Sequence, residues 1–185
     1  MSNNVQIVYI HGFHDSLQSG ESQKGIQLRE QFGALTPKLP MEPLEAIQAL
    51  DALLDGIQGP VGLVGHSLGG FYATYLSQTR GIPAAITNPV PQPYKSEILA
   101  GMLWDQPALL RQIRTDLSII EPPINNPDKL LVMLQKDDES LDYKKAVEYY
   151  QDCNQIILNG GAHCFEDFEA WLPIVQWHLN GDSHG

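Results

Sequence analysis

A serine flanked by glycines stands between a predicted strand and a predicted helix, in the stretch Val64-Gly65-His66-Ser67-Leu68-Gly69-Gly70. The apolar run 60–64 precedes it and a helix-like run, 71–78, follows it. A sharp strand-to-helix turn strains the backbone of its central residue and needs small neighbours, because other backbone segments approach it closely. The pattern therefore predicts a nucleophile elbow, the turn that exposes a catalytic serine at the end of a strand.

Short apolar runs alternate with helix-like segments along the rest of the chain. Strands are predicted at 5–10, 61–64, 84–87, 130–134 and 155–158, with an extended piece at 35–39. Helices are predicted at 26–32, 43–57, from 68 onward, and at 141–150 and 165–179. This alternation is typical of a mostly parallel sheet that is covered on both faces. Since crossovers are right-handed, it predicts a three-layer, doubly wound α/β fold with about six strands.

The length of 185 residues suits one domain, residues 1–185. The segment 88–128 interrupts the alternation with seven prolines and two apolar patches, 98–103 and 109–117. We expect this segment to form a small helical cap over the strand ends, where such folds bind their ligands. A plain long connection is the alternative.

The charge of the chain excludes some classes of partner. Its net charge is -11, and no basic stripe is visible, so nucleic acid and anionic membranes are poor candidate partners. No apolar run approaches the roughly 20 residues that a membrane helix needs. The N-terminal residues lack the features of a signal peptide, and the chain has two cysteines without zinc-site spacing. We therefore expect a cytoplasmic protein without a metal or other cofactor, and the sequence leaves its oligomeric state open.

A serine hydroxyl needs a base to accept its proton, and the base needs an acid to orient it. On folds with this elbow the acid and the histidine follow the serine in that order, each after a strand. His163 follows the last predicted strand and two glycines, and is the predicted general base. Three carboxylates, Asp137, Asp138 and Glu139, follow the strand before it. We favour Asp138 because it lies a few residues past its strand, with Asp137 second and Glu139 third.

Two backbone N–H groups are expected to stabilise the negative oxygen of the tetrahedral intermediate. The residue after the nucleophile, Leu68, supplies one, and Phe13, which follows the first strand and Gly12, is the candidate for the other. For substrate binding, the candidates are His14, Tyr94 and Trp104, and further pocket candidates are Phe13, Tyr72, Met102 and Leu103. Residues of these types at helical spacing occur more often in cores, so core packing is the alternative for all of them except His14.

Several motifs together resemble those of the α/β-hydrolase superfamily and, within it, the small bacterial YqiA-like esterases. They are YIHGF, GHSLGGFYATYL, NPVPQP, DDESLDYKKAV and GGAHCFEDFEAWLP, and they extend over nearly the whole chain. The resemblance implies cofactor-free hydrolysis of short- or medium-chain acyl esters by a triad at Ser67, Asp138 and His163. In that family the acid usually follows a glycine, and Asp137 replaces the glycine here.

The predicted function is thus that of a serine carboxylesterase that acts on a small acyl ester. A thioesterase with the same triad and a non-catalytic binding protein on a hydrolase fold are the alternatives. A peptidase is a further possibility without a specific signature in the sequence.

Overall fold

The sheet of this protein is parallel throughout. The computed structural model describes residues 5–13 and 22–181. Within them, five strands lie in chain order across one sheet. They are β1 (Gln6–Ile10), β2 (Val61–His66), β3 (Ala84–Thr87), β4 (Leu130–Gln135) and β5 (Asn154–Leu158). The predicted mostly parallel sheet is confirmed, and the first four strands are apolar runs because both faces of the sheet are covered.

The predicted extended piece at 35–39 forms a single bridge in place of a sixth strand. Leu35 pairs in parallel with Val8. Its N–H donates to the Ile7 carbonyl at 2.9 Å and its carbonyl accepts from the Tyr9 N–H at 2.8 Å. In a parallel ladder the next residue to donate would be Pro37, which has no N–H. The described sheet therefore has five strands and one bridge, where about six strands were expected.

Seven α-helices lie within the described residues. They are α1 (Gln23–Phe32), α2 (Pro43–Gly56), α3 (Leu68–Arg80), α4 (Glu97–Met102), α5 (Pro107–Ile119), α6 (Tyr143–Tyr149) and α7 (Phe168–Leu179). Pro43 opens α2, where its missing N–H costs nothing. Ser22 caps α1 by accepting from the Gly25 N–H, and Gly33 ends it in a left-handed conformation. None of these helices is long and apolar enough to cross a bilayer.

The helices cover the two faces of the sheet in separate layers. One buried cluster joins Leu63 of β2 to Leu50 of α2 and Phe71 of α3, and α5 and α6 extend it. The other cluster joins Val64 of β2 to α1 and α7. Neighbouring strand residues point to opposite faces, so Leu63 and Val64 belong to different cores. The three-layer architecture is as predicted.

The winding direction of the chain reverses at β1. The Leu35 bridge lies on one side of β1 and β2 lies on the other. Ligands in such sheets bind outside the carboxyl ends of the strands at this kind of reversal. The loop after β1 and the turn after β2 therefore border the expected site.

The segment between β3 and β4 is helical, and α4 and α5 match the two predicted apolar patches within two residues. Ile113 and Leu117 of α5 are fully buried in the same core as α2. Leu99 anchors α4 to that core. The segment is therefore packed onto the main body of the protein, and α4 lies near the strand ends.

Candidate active site

The turn at Ser67 has the geometry of the predicted elbow. Ser67 lies between β2 and α3 with φ 54° and ψ -120°, a conformation that non-glycine residues rarely adopt. A Cβ on Gly65 would lie 2.5 Å from the Gly69 carbonyl oxygen, and one on Gly69 would overlap the Ile10 carbonyl oxygen. Both flanking positions must therefore be glycine, because the turn packs backbone against backbone.

The structure brings Ser67, His163 and Asp138 together from loops after β2, β5 and β4. His163 Nε2 lies 3.1 Å from Ser67 Oγ. His163 Nδ1 lies 2.8 Å from Asp138 Oδ2. The Asp138 side chain is 2% exposed and the His163 side chain 24%. This is the geometry of a nucleophile, a base and an orienting acid, with the serine side of the histidine open to a substrate.

The structure also separates the three competing carboxylates. Asp138 Oδ1 accepts from the N–H groups of Ser140 and Leu141, both at 2.8 Å, so its second oxygen is held toward the histidine ring. Asp137 is exposed and uses its backbone N–H to bond the Gly160 carbonyl at 3.3 Å. Asp138 is therefore the one of the three carboxylates that bonds the His163 ring.

Glu139 has an unpredicted contact with the histidine. Its carboxylate accepts from the backbone N–H of His163 at 2.9 Å. This bond, followed by one from its own backbone N–H, lowers the pKa of Glu139. Glu139 is exposed and lines the pocket beside Ser67, so it places a fixed negative charge there at neutral pH.

His66 lies beneath the site as a buried neutral ring. Its Nδ1 is 3.1 Å from Thr87 Oγ1 and 3.2 Å from the Thr87 carbonyl oxygen, and its ring centre is 5.2 Å from that of His163. Burial holds the pKa of His66 well below its usual value, and the charges of Lys24 and His163 add to this. Lys24 donates to the carbonyl of Cys164, the residue after His163.

The loop after β1 reaches Ser67, as the predicted oxyanion site requires. A Cβ on Gly12 would lie 3.2 Å from Ser67 Cβ and 3.7 Å from its Oγ. Phe13 follows it, and Leu68 is the first residue of α3, whose N-terminus favours negative charge. Phe13 and Leu68 both line the pocket beside Ser67. Their role as oxyanion donors stays a prediction.

A pocket of about 410 Å³ opens at Ser67. Its walls come from the loop after β1, the turn after β2, the segment before α4, α4 itself, and the loops that carry Asp138 and His163. They include Gly12, Phe13, His66, Ser67, Leu68, Val90, Pro93, Ser96, Ile98, Leu99, Met102, Glu139, Ser140, Leu141, His163 and Cys164. Most of this lining is apolar, so the pocket suits an acyl chain.

The three predicted substrate-binding residues do not explain this pocket. His14 lies outside the described residues. Tyr94 donates its hydroxyl to Glu121 at 2.5 Å, and Trp104, which is 80% exposed, lies beyond the end of α4. Neither Tyr94 nor Trp104 is part of the lining. Of the further candidates, Phe13 and Met102 line the pocket, whereas Tyr72 and Leu103 are buried in the core. Leu99 lines the pocket beside Met102, because residues three apart share one helix face.

The loop that carries His163 rests on Asn88 and Gln135, which the sequence analysis did not single out. Asn88 opens the NPVPQP motif directly after β3, and Gln135 is the last residue of β4. Both residues lie at the carboxyl ends of strands, where the triad residues are also expected, and this placement is the sequence signal that could have identified them. Among residues 5–13 and 22–181, no group of three metal-ligating side chains could hold a metal ion.

Residues 6–178 match the model of a family described as "Uncharacterised protein family (UPF0227)". The chain belongs to this family. It is similar to the UPF0227 protein YcfP of Salmonella paratyphi A, at 26% identity over 179 residues, covering 92% of this chain and 96% of that protein.

Solved structures show the same fold at low sequence identity. Est1E from Butyrivibrio proteoclasticus superposes with a TM-score of 0.70 at 16% identity, covering 95% of this chain and 87% of that chain. MGS-MChE2, an α/β-hydrolase enzyme from the metagenome of lagoon sediments, superposes with a TM-score of 0.63 at 19% identity, covering 93% and 89%. This UPF0227 protein therefore has the α/β-hydrolase fold, as its sequence motifs implied.

Proposed function

We propose that this protein is a serine carboxylesterase that cleaves short- to medium-chain acyl esters through an acyl-enzyme on Ser67. The observation that carries the proposal is the aligned Ser67–His163–Asp138 set, with 3.1 Å and 2.8 Å between successive partners. Proteins that share the fold include a hydrolase, lipolytic enzymes and a monoacylglycerol lipase. Those names support hydrolysis of an ester by this chain.

The first half of the reaction acylates the serine. Ser67 Oγ attacks the ester carbonyl carbon while His163 Nε2 takes the hydroxyl proton, and the carbonyl oxygen becomes negative. Asp138 stabilises the imidazolium that forms and keeps the proton of the neutral ring on Nδ1. When the tetrahedral intermediate collapses, His163 gives its proton to the alcohol oxygen, and the C–O bond of the ester breaks.

The second half releases the acid. A water molecule attacks the acyl carbonyl carbon while His163 Nε2 accepts one of its protons. Collapse of this second intermediate breaks the bond to Ser67 Oγ, which takes the proton back from His163. In both halves the Leu68 and Phe13 N–H groups donate to the negative oxygen, at the positive end of α3.

The size and lining of the pocket support the proposed acyl chain. Its volume of about 410 Å³ is near the lower end of small-molecule sites, which range over roughly 300–1,000 Å³. Leu99 and Met102 of α4 give it an apolar wall. A short or medium hydrocarbon chain fits these properties.

Charge favours an uncharged ester over the thioester alternative. Glu139 holds a negative charge at the pocket, and the chain as a whole carries -11. Both repel a polyanionic coenzyme A thioester. We expect kcat/KM for nitrophenyl esters to exceed that for acyl-coenzyme A of the same chain length, and the opposite order would favour a thioesterase.

Substitution of the nucleophile tests the proposal. We expect Ser67→Ala to lower ester turnover by several orders of magnitude with an unchanged melting temperature, because the hydroxyl is required in both halves of the reaction. Ser118→Ala, an exposed serine of α5, is the matched control and should retain full activity. A fluorophosphonate should label the wild type at Ser67. If Ser67→Ala keeps near-normal turnover, the proposal is wrong, and a chain that is neither labelled nor active is a binding protein.

A further inference from the structure

The loop that carries His163 has little rigidity of its own. Gly160 and Gly161 precede it with φ of 76° and 84°, and Phe165 and Asp167 after it also have positive φ. Such a loop lacks the repeating backbone bonds of a helix or strand. Its conformation must therefore be fixed by bonds from elsewhere in the protein.

Asn88 supplies one set of these bonds from the end of β3. It is 2% exposed, and its Nδ2 donates to the carbonyls of Ala162 and His163 at 2.9 Å and 3.1 Å. Its Oδ1 accepts from the backbone N–H of Gln135 at 2.9 Å. The side chain therefore holds the backbone of His163 itself and joins it to the end of β4.

Gln135 supplies the second set from the end of β4. It is 5% exposed, and its Oε1 accepts from the N–H groups of Ala162 and Glu166 at 3.1 Å and 2.9 Å. Its Nε2 donates to the Glu166 carbonyl at 2.9 Å. The amide thus bridges the residues on both sides of His163. Gly161 lies so close that a Cβ there would overlap the Gln135 side chain.

We propose that Asn88 and Gln135 are positioning residues for the general base. They hold the His163 loop so that the ring meets Ser67 and Asp138 at the same time. The proposal rests on the proposed function, since it concerns the histidine of that reaction. The side-chain hydrogen bonds of both amides go to backbone groups, so both act through the backbone that carries His163.

The expected effect follows from how sharply catalysis depends on alignment. A displacement of about 1 Å from the productive geometry can cost about 100-fold in rate. Losing two or three buried bonds from a glycine-rich loop allows a displacement of that size. Of the residues that line the pocket, His163 and Cys164 are the two that lie in the loop held by these amides, so most of the pocket wall stays in place when the bonds are lost. We therefore expect kcat to fall while KM stays nearly constant.

Three substitutions remove the bonds with little change of shape. Asn88→Asp keeps the acceptor oxygen and tolerates the positive φ of 40°, but loses both donors to the loop. Gln135→Met loses all three bonds, whereas Gln135→Glu keeps the oxygen that accepts from Ala162 and Glu166. We expect kcat to fall about 10- to 100-fold in Asn88→Asp and Gln135→Met, with KM within about threefold, and Gln135→Glu to lose less than Gln135→Met.

Gln155→Met is the matched control for a lost amide. Gln155 Nε2 donates to the carbonyls of Val147 and Tyr150 at 3.1 Å and 2.7 Å, at the end of α6 and away from the triad. Its loss should lower the melting temperature and leave kcat within about twofold.

Substitutions of two neighbouring glycines distinguish the effect of a clash with Gln135 from the effect of backbone strain. Gly160→Ala and Gly161→Ala both place alanine at positive φ, but a Cβ at 160 meets open space. Gly161→Ala should therefore reproduce the loss of kcat seen in Gln135→Met, and Gly160→Ala should not. This pair keeps the test decisive if an amide variant fails to fold.

The decisive readout is the rate at which a fluorophosphonate labels the folded variants. A misplaced His163 slows labelling of Ser67 without lowering its final stoichiometry of one per chain. A purely structural role would lower the melting temperature and leave the labelling rate of the folded protein unchanged.

The two proposals fail in different ways. If folded Asn88→Asp, Gln135→Met and Gly161→Ala keep the wild-type kcat and labelling rate, the positioning role is wrong and the esterase assignment stands. If the wild type is not labelled and Ser67→Ala equals it in turnover, the proposed function itself is wrong. Equal losses in Gln155→Met and Gln135→Met would also overturn the positioning role.

Discussion

Asp138→Asn tests the chemistry of the triad because the structure fixes how an asparagine must sit. Asp138 Oδ1 accepts from two backbone N–H groups, those of Ser140 and Leu141. An asparagine would keep its carbonyl oxygen there and turn its NH₂ group toward His163 Nδ1. That group donates, so Nδ1 must accept and the ring proton moves to Nε2. His163 then cannot take the Ser67 proton in its neutral form.

The size of the loss follows from the distance between acid and ring. Asp138 Oδ2 and His163 Nδ1 are 2.8 Å apart, and the acid is 2% exposed. With charge centres about 4 Å apart and an effective dielectric constant of about 20, the attraction in the transition state is about 4 kcal/mol. At about 1.4 kcal/mol for each factor of ten, its loss slows the reaction about 1,000-fold. The wrong tautomer adds to this, so we expect a 1,000- to 10,000-fold fall in kcat/KM.

Asp137→Asn is the matched control, since it makes the same change of charge one residue away on an exposed side chain. Its kcat/KM for a nitrophenyl ester should stay within about threefold of wild type. Both variants should melt near the wild-type temperature, because the asparagine at 138 keeps the oxygen that caps the turn. Equal losses in the two variants, or more than a tenth of wild-type activity in Asp138→Asn, would refute this reasoning.

Two other substitutions test the pocket and the buried histidine. Met102→Trp should fill the pocket and lower kcat/KM for octanoyl relative to acetyl esters about tenfold, whereas Trp104→Ala, outside the lining, should leave the ratio unchanged. Because the pKa of His66 in the folded protein lies well below 6.5, the unfolded chain binds a proton at a higher pH than the folded protein does. The melting temperature should therefore fall as the pH drops below about 6.5, and His66→Gln should flatten that fall. The same slope in both proteins would contradict the buried neutral ring.

The sequence predicted most elements well where local signals agree. The strand at 84–87 matches β3, and the helix predicted at 43–57 extends one residue beyond α2. Pro43 marks its start, and a repeat of apolar residues every three or four positions marks its buried face. Such signals depend only on neighbours along the chain, so they are visible without the structure.

Two helix starts differ from the sequence prediction, and one of them depends on contacts outside the segment. The last helix was predicted from 165 but begins at Phe168, because Phe165 and Asp167 have positive φ. Gln135 bonds Glu166 between them, so a strand end far along the chain shapes this turn. The helix predicted from 141 begins at Tyr143, after Asp142 caps it by accepting from the Lys144 N–H. This start depends on a local signal, because an Asp directly before the first helical residue is a favoured N-cap.

The order of Ser67, Asp138 and His163 along the chain was predictable, whereas the side chains around them were not. A parallel sheet with an elbow requires its acid and base after later strands, which leads to the loops of Asp138 and His163. Residue type alone indicated Tyr94 and Trp104 as pocket residues, and neither is part of the lining. Which residues of the 88–128 segment face the pocket depends on how α4 packs. The core face and the pocket face of α4 are both apolar, so the sequence pattern does not distinguish them.

The amides at 88 and 135 show what knowledge of strand order adds. The strands β3, β4 and β5 are neighbours, so their carboxyl ends lie side by side at one edge of the sheet. A polar residue at the end of β3 or β4 must then find partners in the loop after β5, because burial leaves it no water. The histidine occupies that loop, so side chains that satisfy these buried groups also set the position of the base. In a sheet of this order, candidate positioning residues are therefore buried Asn or Gln side chains at the carboxyl ends of the strands that neighbour the strand before the histidine.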